Sequence, residues 1–348
     1  MKRILCTILA LCLLLPTLFS CGSDPVSTEG TTVTTKDDTV TTAPPADTTT
    51  VRVGLLSGTT GMGAAKMRKD GDPRYHFTPY SVPDTLLSDL IAGTVDLAAL
   101  PTNAAAKLYN RTGGNIRMLA LNTLGVLHVV DRTGSIHSLA DLAGKTVYVP
   151  MAGQNPEYIF RHILEKNGLT DSVTVKTDIS DADALASALL ADSGEYADVQ
   201  IIVLPEPKVT VTEMQAKQKG ISCTDAIDLT VEWNKVESAP IPQGCLVARK
   251  DFLEAHPTAV NEFLAAYEDS IEYMTAPENL EAAAALLVEF EIIPKAPIAK
   301  AALPECSIAY LDGQEMKDSL TAFYAILHGF DPKSVGNAVP GNDFYYLP

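Results

Sequence analysis

The side chains able to do chemistry are spread thinly and form no catalytic pattern. His76, His128, His137, His162, His256 and His328 make no HxH or HExxH spacing, and none of the six cysteines sits in a Cys-x-x-Cys pair. Neither a zinc site nor a Cys–His nucleophile is therefore readable. Gly58, Gly61 and Gly63 follow an apolar run but do not fit G-x-G-x-x-G, and no Gly-Lys-Ser/Thr follows them. That excludes a nucleotide phosphate loop. Asp178, Asp181 and Asp183 precede a helical stretch and suit its N-terminal dipole better than they suit a cation. The polar residues that do recur are Thr, Asn, Gln and Glu at points where apolar runs stop. Such residues form hydrogen bonds but no reactive pair, so no metal, no cofactor and no enzymatic activity are expected.

Such residues need a scaffold, and the composition allows one. The chain has 348 residues, of which 46% are hydrophobic, enough for a core and for two domains of ordinary size. Its formal charge of -17 opposes nucleic acid and anionic lipid surfaces. Lys2 and Arg3 precede the apolar run from Ile4 to Leu15, which is too short to span a bilayer and reads as a secretory signal over residues 1–20. The run ends in Leu18-Phe19-Ser20-Cys21, which resembles a bacterial lipoprotein signal and marks Cys21 for lipidation. An ordinary signal peptide with an incidental cysteine is the plainer alternative. Residues 21–50 are rich in Ser and Thr, with 13 of them between Gly22 and Thr50, and read as a disordered tether with a reach of about 30 Å.

The remainder holds one unit twice. Val51 to Leu56 is an apolar strand, broken by Ser57 to Gly63. Strand-like Tyr75 to Tyr80, a helix from Pro83, and the strand Val95 to Leu100 stopped by Pro101-Thr102-Asn103 follow. The second copy runs from Lys145 to Val149, breaks at Gly153-Gln154-Asn155-Pro156, and ends in Asp198 to Leu204 stopped by Pro205-Glu206-Pro207. Strands alternating with helices imply an α/β fold with parallel strands and right-handed crossovers in each copy. Two such lobes enclose a cleft at the carboxyl ends of their strands, where ligands bind in open α/β sheets. The segment from about Gly244 returns to the first lobe, which gives lobe 1 as residues 51–122 and 245–348 and lobe 2 as 125–240. The chain then crosses near 121–125 and 240–244.

Signal, lipid-type cysteine, tether and two lobes resemble the extracytoplasmic solute-binding lipoproteins of ABC transporters. Gly-Thr-Thr-Gly-Met-Gly at 58–63, Ala-Leu-Pro-Thr-Asn at 99–103, Asn-Thr-Leu-Gly-Val at 122–126, Asn-Pro-Glu-Tyr at 155–158 and Leu-Pro-Glu-Pro at 204–207 are similar to the sulfonate/thiamine-precursor-type branch, the SsuA/NMT1-like family. The resemblance implies a type II periplasmic-binding-protein fold and a monomer. It also implies hinge closure on a small polar organic solute, and delivery to an ABC permease with its ATPase. A surface lipoprotein that presents its solute to a signalling partner is the alternative role. Either would lie outside the cell membrane, held by a lipid anchor.

By the same resemblance Thr59, Thr60, Gly61 and Met62 line the first wall of the cleft with Thr102 and Asn103. Asn122 and Thr123 lie at the crossing. Gln154, Asn155, Glu157 and Tyr158 face them from the second lobe, beside Glu206 and Gln243. Each could equally be a helix cap or turn former. No arginine is among them, and Lys66, Lys107 and Lys208 read as lying within helices or beyond the loop tips. The expectation is therefore a neutral or amine-bearing solute, with Tyr158 or Met62 as a stacking surface and Glu157 or Glu206 as its acceptor. Cys245 and Cys306, beside apolar runs of the returning segment, are a candidate disulfide; buried free thiols are the alternative.

Overall fold

The structure is a computed structural model, and it describes residues 47–191 and 193–347. The expected signal, Cys21 and most of the tether lie outside the described residues.

The strands are β1 (Val51–Leu56), β2 (Tyr75–Tyr80), β3 (Leu97–Pro101), β4 (Ile116–Thr123), β5 (Leu127–Asp131), β6 (Thr146–Tyr148), β7 (Thr174–Lys176), β8 (Ile201–Pro205), β9 (Thr224–Asp228), β10 (Gly244–Arg249) and β11 (Ile308–Leu311). The helices in the first half are α1 (Thr59–Met62), α2 (Ala65–Asp70), α3 (Pro83–Ala92), α4 (Thr102–Arg111), α5 (Asn155–Lys166) and α6 (Ala182–Leu189). The second half adds α7 (Lys208–Lys219), α8 (Leu229–Trp233), α9 (Lys250–Ala255), α10 (Pro257–Thr275), α11 (Leu280–Glu289), α12 (Ala296–Ala302) and α13 (Gly313–Phe330).

Two sheets result, in the orders β11-β4-β10-β3-β1-β2 and β7-β6-β8-β5-β9. The doubled unit is visible in the matching orders β2-β1-β3 and β7-β6-β8, in which all strands are parallel. The aspartate that leads the last strand of each copy has the same job. Asp96 accepts from the Arg52 backbone at 3.0 Å and from its guanidinium at 2.8 Å, and Asp198 accepts from the Tyr148 hydroxyl at 3.0 Å. Each ties the third strand of its unit to the first.

Within each copy the strands are parallel, as the sequence implies, and the strands that enter after each crossing make the complete sheets mixed. β5 is antiparallel to β8 and β9, and β10 is antiparallel to β3 and β4. The reason is geometric. The chain leaves each lobe from the carboxyl end of its sheet, at the cleft, so the first strand after each crossing starts at the cleft and runs away from it. The connecting segments are residues 124–126 and 234–243.

Apolar side chains fill both faces of each sheet. One continuous cluster joins the lobes: Leu127 and Val129 of β5, Leu100 of β3, and Leu320, Phe323, Tyr324 and Leu327 of α13 all belong to it. Phe323 meets the single tryptophan, Trp233 of α8, at a centroid distance of 6.0 Å, and Phe330 meets Tyr158 of α5 at 5.9 Å. Helix α13 thus braces the two lobes from behind the cleft.

The candidate disulfide does not form. Cys223, Cys245 and Cys306 are free thiols. Cys245 points from β10 into the cluster shared with α13, whereas Cys306 lies in the separate cluster beneath α10 and α11, on the other face of the sheet. The Cys245 Sγ instead donates to the Leu100 carbonyl at 3.3 Å. Burial pushes both thiols far up in pKa, which removes the reactive thiolate. Alkylation in denaturant without reductant is therefore expected to label all three body thiols, and mass spectrometry would contradict the arrangement if Cys245 and Cys306 escaped labelling until reduced.

Candidate functional site

A cleft of about 670 Å³ lies between the lobes, lined from both. Its walls come from the carboxyl ends of β1, β3 and β8 and from the first turns of the helices that follow them. Helices α3, α4 and α5 all begin at this cleft, and none has a side chain capping its first turn. Uncapped helix starts leave backbone N–H groups and the positive end of the helix dipole facing the cleft. At the start of α7 the Glu206 carboxylate takes this role, accepting from the Thr210 backbone at 3.3 Å and hydroxyl at 3.0 Å.

Of the fourteen residues singled out from the sequence, Thr59, Thr60, Asn103, Gln154, Asn155, Glu206 and Gln243 line the cleft. The structure does not bring the other seven into it. Met62 is fully buried in the core under α10, and at Gly61 an added Cβ would lie 2.9 Å from the Leu56 carbonyl oxygen. Asn122 works inside lobe 1, donating to the Thr60 carbonyl at 3.0 Å and to the Tyr267 hydroxyl at 3.1 Å, while Thr123 donates to Asn122. These bonds hold the start of α1 in place. Glu157 turns back to the Gly153 N–H and to Arg161, and Tyr158 packs on Phe330. The expected stacking surfaces, Tyr158 and Met62, are thereby withdrawn, as is Glu157 as an acceptor.

Thr102 does not line the cleft, yet it sets the hydrogen-bond pattern there. Its hydroxyl donates to the Pro242 carbonyl at 2.7 Å and so has only lone pairs left for Asn155, whose Nδ2 donates to it at 3.3 Å. The orientation of the Asn155 amide follows from this. Its Oδ1 then points elsewhere, and it has no partner although Asn155 is only 3% exposed. The Gln243 Nε2 is likewise buried and unpartnered. Unpaired buried polar atoms cost about 1–3 kcal/mol each, so these two are the least satisfied polar groups at the cleft.

Helix α4 supplies what the sequence reading missed. Asn103, Ala104, Lys107, Leu108 and Arg111 form one stripe at three- and four-residue spacing, and all of them line the cleft. The absence of cations expected there is corrected: Lys107, Arg111 and Lys208 reach it. Lys208 is neutralised by Asp183, but among the described residues Lys107 makes no ion pair, only a contact from its Nζ to the Gln154 Oε1 at 3.4 Å, with the Asp331 carboxylate acting on it at longer range. The i, i+4 spacing was legible; which face of α4 the second lobe covers was not.

Gln154 crosses the cleft. Its Oε1 accepts from the Asn103 Nδ2 at 2.6 Å as well as from Lys107, so a lobe 2 side chain is held by lobe 1 donors. Two charged groups at the cleft are desolvated. Burial pushes the Glu206 carboxyl above its ordinary pKa, against the hydrogen bonds from Thr210, and burial pulls the Lys107 ammonium down. Beneath Glu206, His128 Nδ1 lies 2.9 Å from the Asp225 carboxylate; burial opposes its protonation, but Asp225 wins and raises its pKa. Gly244 floors the cleft because a Cβ there would lie 2.5 Å from Asn122 Oδ1 and 2.7 Å from Thr60 Cγ2. Among the described residues no group of three or more His, Cys, Asp or Glu could hold a metal ion.

Comparison with known proteins adds the family. Residues 116–279 match the family model described as NMT1/THI5 like. The chain carries an NMT1/THI5-like segment. The resemblance read from the motifs is borne out, with the family match centred on lobe 2 and the return into lobe 1. Among solved structures, an ABC transporter from Parabacteroides distasonis is 22% identical with a TM-score of 0.71, covering 87% of this chain and 99% of that one. The periplasmic aliphatic sulphonate binding protein SsuA from Escherichia coli is 15% identical with a TM-score of 0.67, covering 88% and 93%. The chain therefore has the two-lobed periplasmic-binding-protein fold. No curated protein matches it.

The buried acid gives a direct test. A carboxyl whose folded pKa is raised contributes nothing to stability below its unfolded pKa. It becomes a growing cost as pH rises from there to its folded pKa, because the buried ionised form is disfavoured. Glu206→Gln is thus expected to raise the melting temperature of the ligand-free protein at pH 7, with the gain vanishing as pH falls towards 4. A variant that melts lower at pH 7 would show that Glu206 is satisfied within the protein.

Proposed function

We propose that the protein is the extracytoplasmic solute-binding component of an ABC importer. It is a binding protein and not an enzyme, anchored outside the cell membrane by a lipid on Cys21. It takes a small polar organic solute between its lobes and passes it to a permease driven by its ATPase. The observation that carries the reading is the pair of unpartnered polar atoms, Asn155 Oδ1 from lobe 2 and Gln243 Nε2 from the return crossing, at one cleft lined by both lobes. A solute that satisfies both has contacts on each side and favours the closed arrangement over an open one. Fold and family segment support the reading, and among the described residues no helix is long and apolar enough to cross a membrane.

A thermal-shift screen over sulfonates, amines, pyrimidines and aromatic acids would find a solute, since binding to the folded state alone raises its apparent stability. For that solute, Asn103→Ala and Asn155→Ala are each expected to weaken binding by about fivefold to a hundredfold, the range of about 1–3 kcal/mol for a buried hydrogen bond left unmade. Calorimetry showing unchanged affinity in both variants would place binding outside this cleft.

A further inference from the structure

We propose that the solute captured in this cleft is bipolar, with an oxyanion at one end, an apolar spacer, and an ammonium or other N–H donor group at the other. The inference rests on the solute-binding reading and specifies its ligand.

The oxyanion end is marked by Gln154. Its Oε1 sits where an Asn103 amide and a Lys107 ammonium converge at the uncapped start of α4, and it is the only acceptor that reaches Lys107 among the described hydrogen bonds. A neutral amide oxygen is a poor match for an ammonium that has lost part of its solvent, feels the Asp331 carboxylate only at longer range, and makes no ion pair among the described residues. A carboxylate or sulfonate oxygen is a better one. Arg111, one turn further along the same stripe, adds charge of the same sign at the rim. Gln154 is thus a stand-in for a solute oxygen, which would take up the same lobe 1 donors in its place.

The donor end is marked by Asn155 and Glu206. Because the Thr102 hydroxyl spends its proton on Pro242, the Asn155 Oδ1 is an acceptor with nothing to accept from. Glu206, 4% exposed, lines the same cleft, and among the described residues only Thr210 donates to its carboxylate. An oxyanion alone offers neither group a proton and meets Glu206 as a like charge. A simple amine leaves Lys107 and Asn103 unanswered. Between the ends the lining is apolar, from Leu56, Leu87, Ala104, Leu108, Val126 and Met151. That suits a hydrocarbon or ring spacer.

The test is calorimetry at neutral pH with a homologous series of ω-amino carboxylates and ω-amino sulfonates, against alkyl carboxylates, alkyl sulfonates and alkylamines of matched length. One bipolar length is expected to bind at least tenfold tighter than either matched half. Lys107→Met should reduce it to the affinity of the alkylamine and Glu206→Gln to that of the alkyl oxyanion. Lys107→Arg should keep most of the binding, and circular dichroism melting would show that each variant is folded. An alkyl sulfonate that binds as tightly as its amino counterpart, or a Glu206→Gln variant with undiminished binding, overturns the proposal. If that sulfonate still requires Asn103 and Asn155, solute capture stands and only the bipolar assignment falls. Failure of every member to bind also overturns the bipolar assignment.

Discussion

One strand holds the arrangement together. β10 returns from lobe 2 and inserts between β3 and β4, antiparallel to both, with Gly244 opposite Pro101 and Thr123. That insertion completes the first sheet, fixes the second crossing, and sets Gln243 and Gly244 into the base of the cleft between the two lobes. The Gln243 carbonyl accepts from the Thr102 N–H at 3.0 Å, and the Pro242 carbonyl accepts from the Thr102 hydroxyl. The start of α4 is thereby tied to the crossing. The same two bonds dictate what Thr102 can offer Asn155, so the hydrogen-bond polarity of the cleft is inherited from the placement of a strand.

The cleft combines features that a finished interior would avoid. Helix starts go uncapped, two polar atoms go unpaired, and an acid and a lysine are desolvated without each other as partners. Such groups cost stability in the ligand-free state and are characteristic of sites that spend it on recognition. Behind the cleft the pattern is the reverse. Trp233, Phe323 and the shared apolar cluster pack fully, and the Tyr324 hydroxyl donates to the Thr102 carbonyl at 2.8 Å. A well-packed rear and an unsatisfied front fit the hinge closure proposed for solute capture.

Much of this was legible in the chain. The two Asp-led strands, each stopped by Leu-Pro and followed by a helix start, showed the doubled unit and put Asn103, Gln154, Asn155 and Glu206 at its loop ends. What was not legible has physical causes. Local pattern does not register that a strand entering from the other lobe must run backwards, so the direction of β10 was not readable, and β5, which belongs to neither copy of the repeat, was not picked out. Asn122 and Thr123 have the same residue types as solute-binding positions, yet the start of α1 needs them for itself. Lys107 was read as lying away from the loop tips, and Arg111 was not singled out, because only the docking of lobe 2 turns that face of α4 towards the cleft. The cysteines misled for a related reason: proximity to similar apolar runs does not say which face of a sheet a side chain takes.

The central claim is that both lobes contribute helix starts to one solute. Amide hydrogen exchange, with and without a solute that raises the melting temperature, tests it most directly. The account predicts slowed exchange in the first turns of α4 and α5 together, one from each lobe. Protection confined to a single lobe, or appearing instead at the concavity around Arg52 and Arg249 on lobe 1, would contradict it.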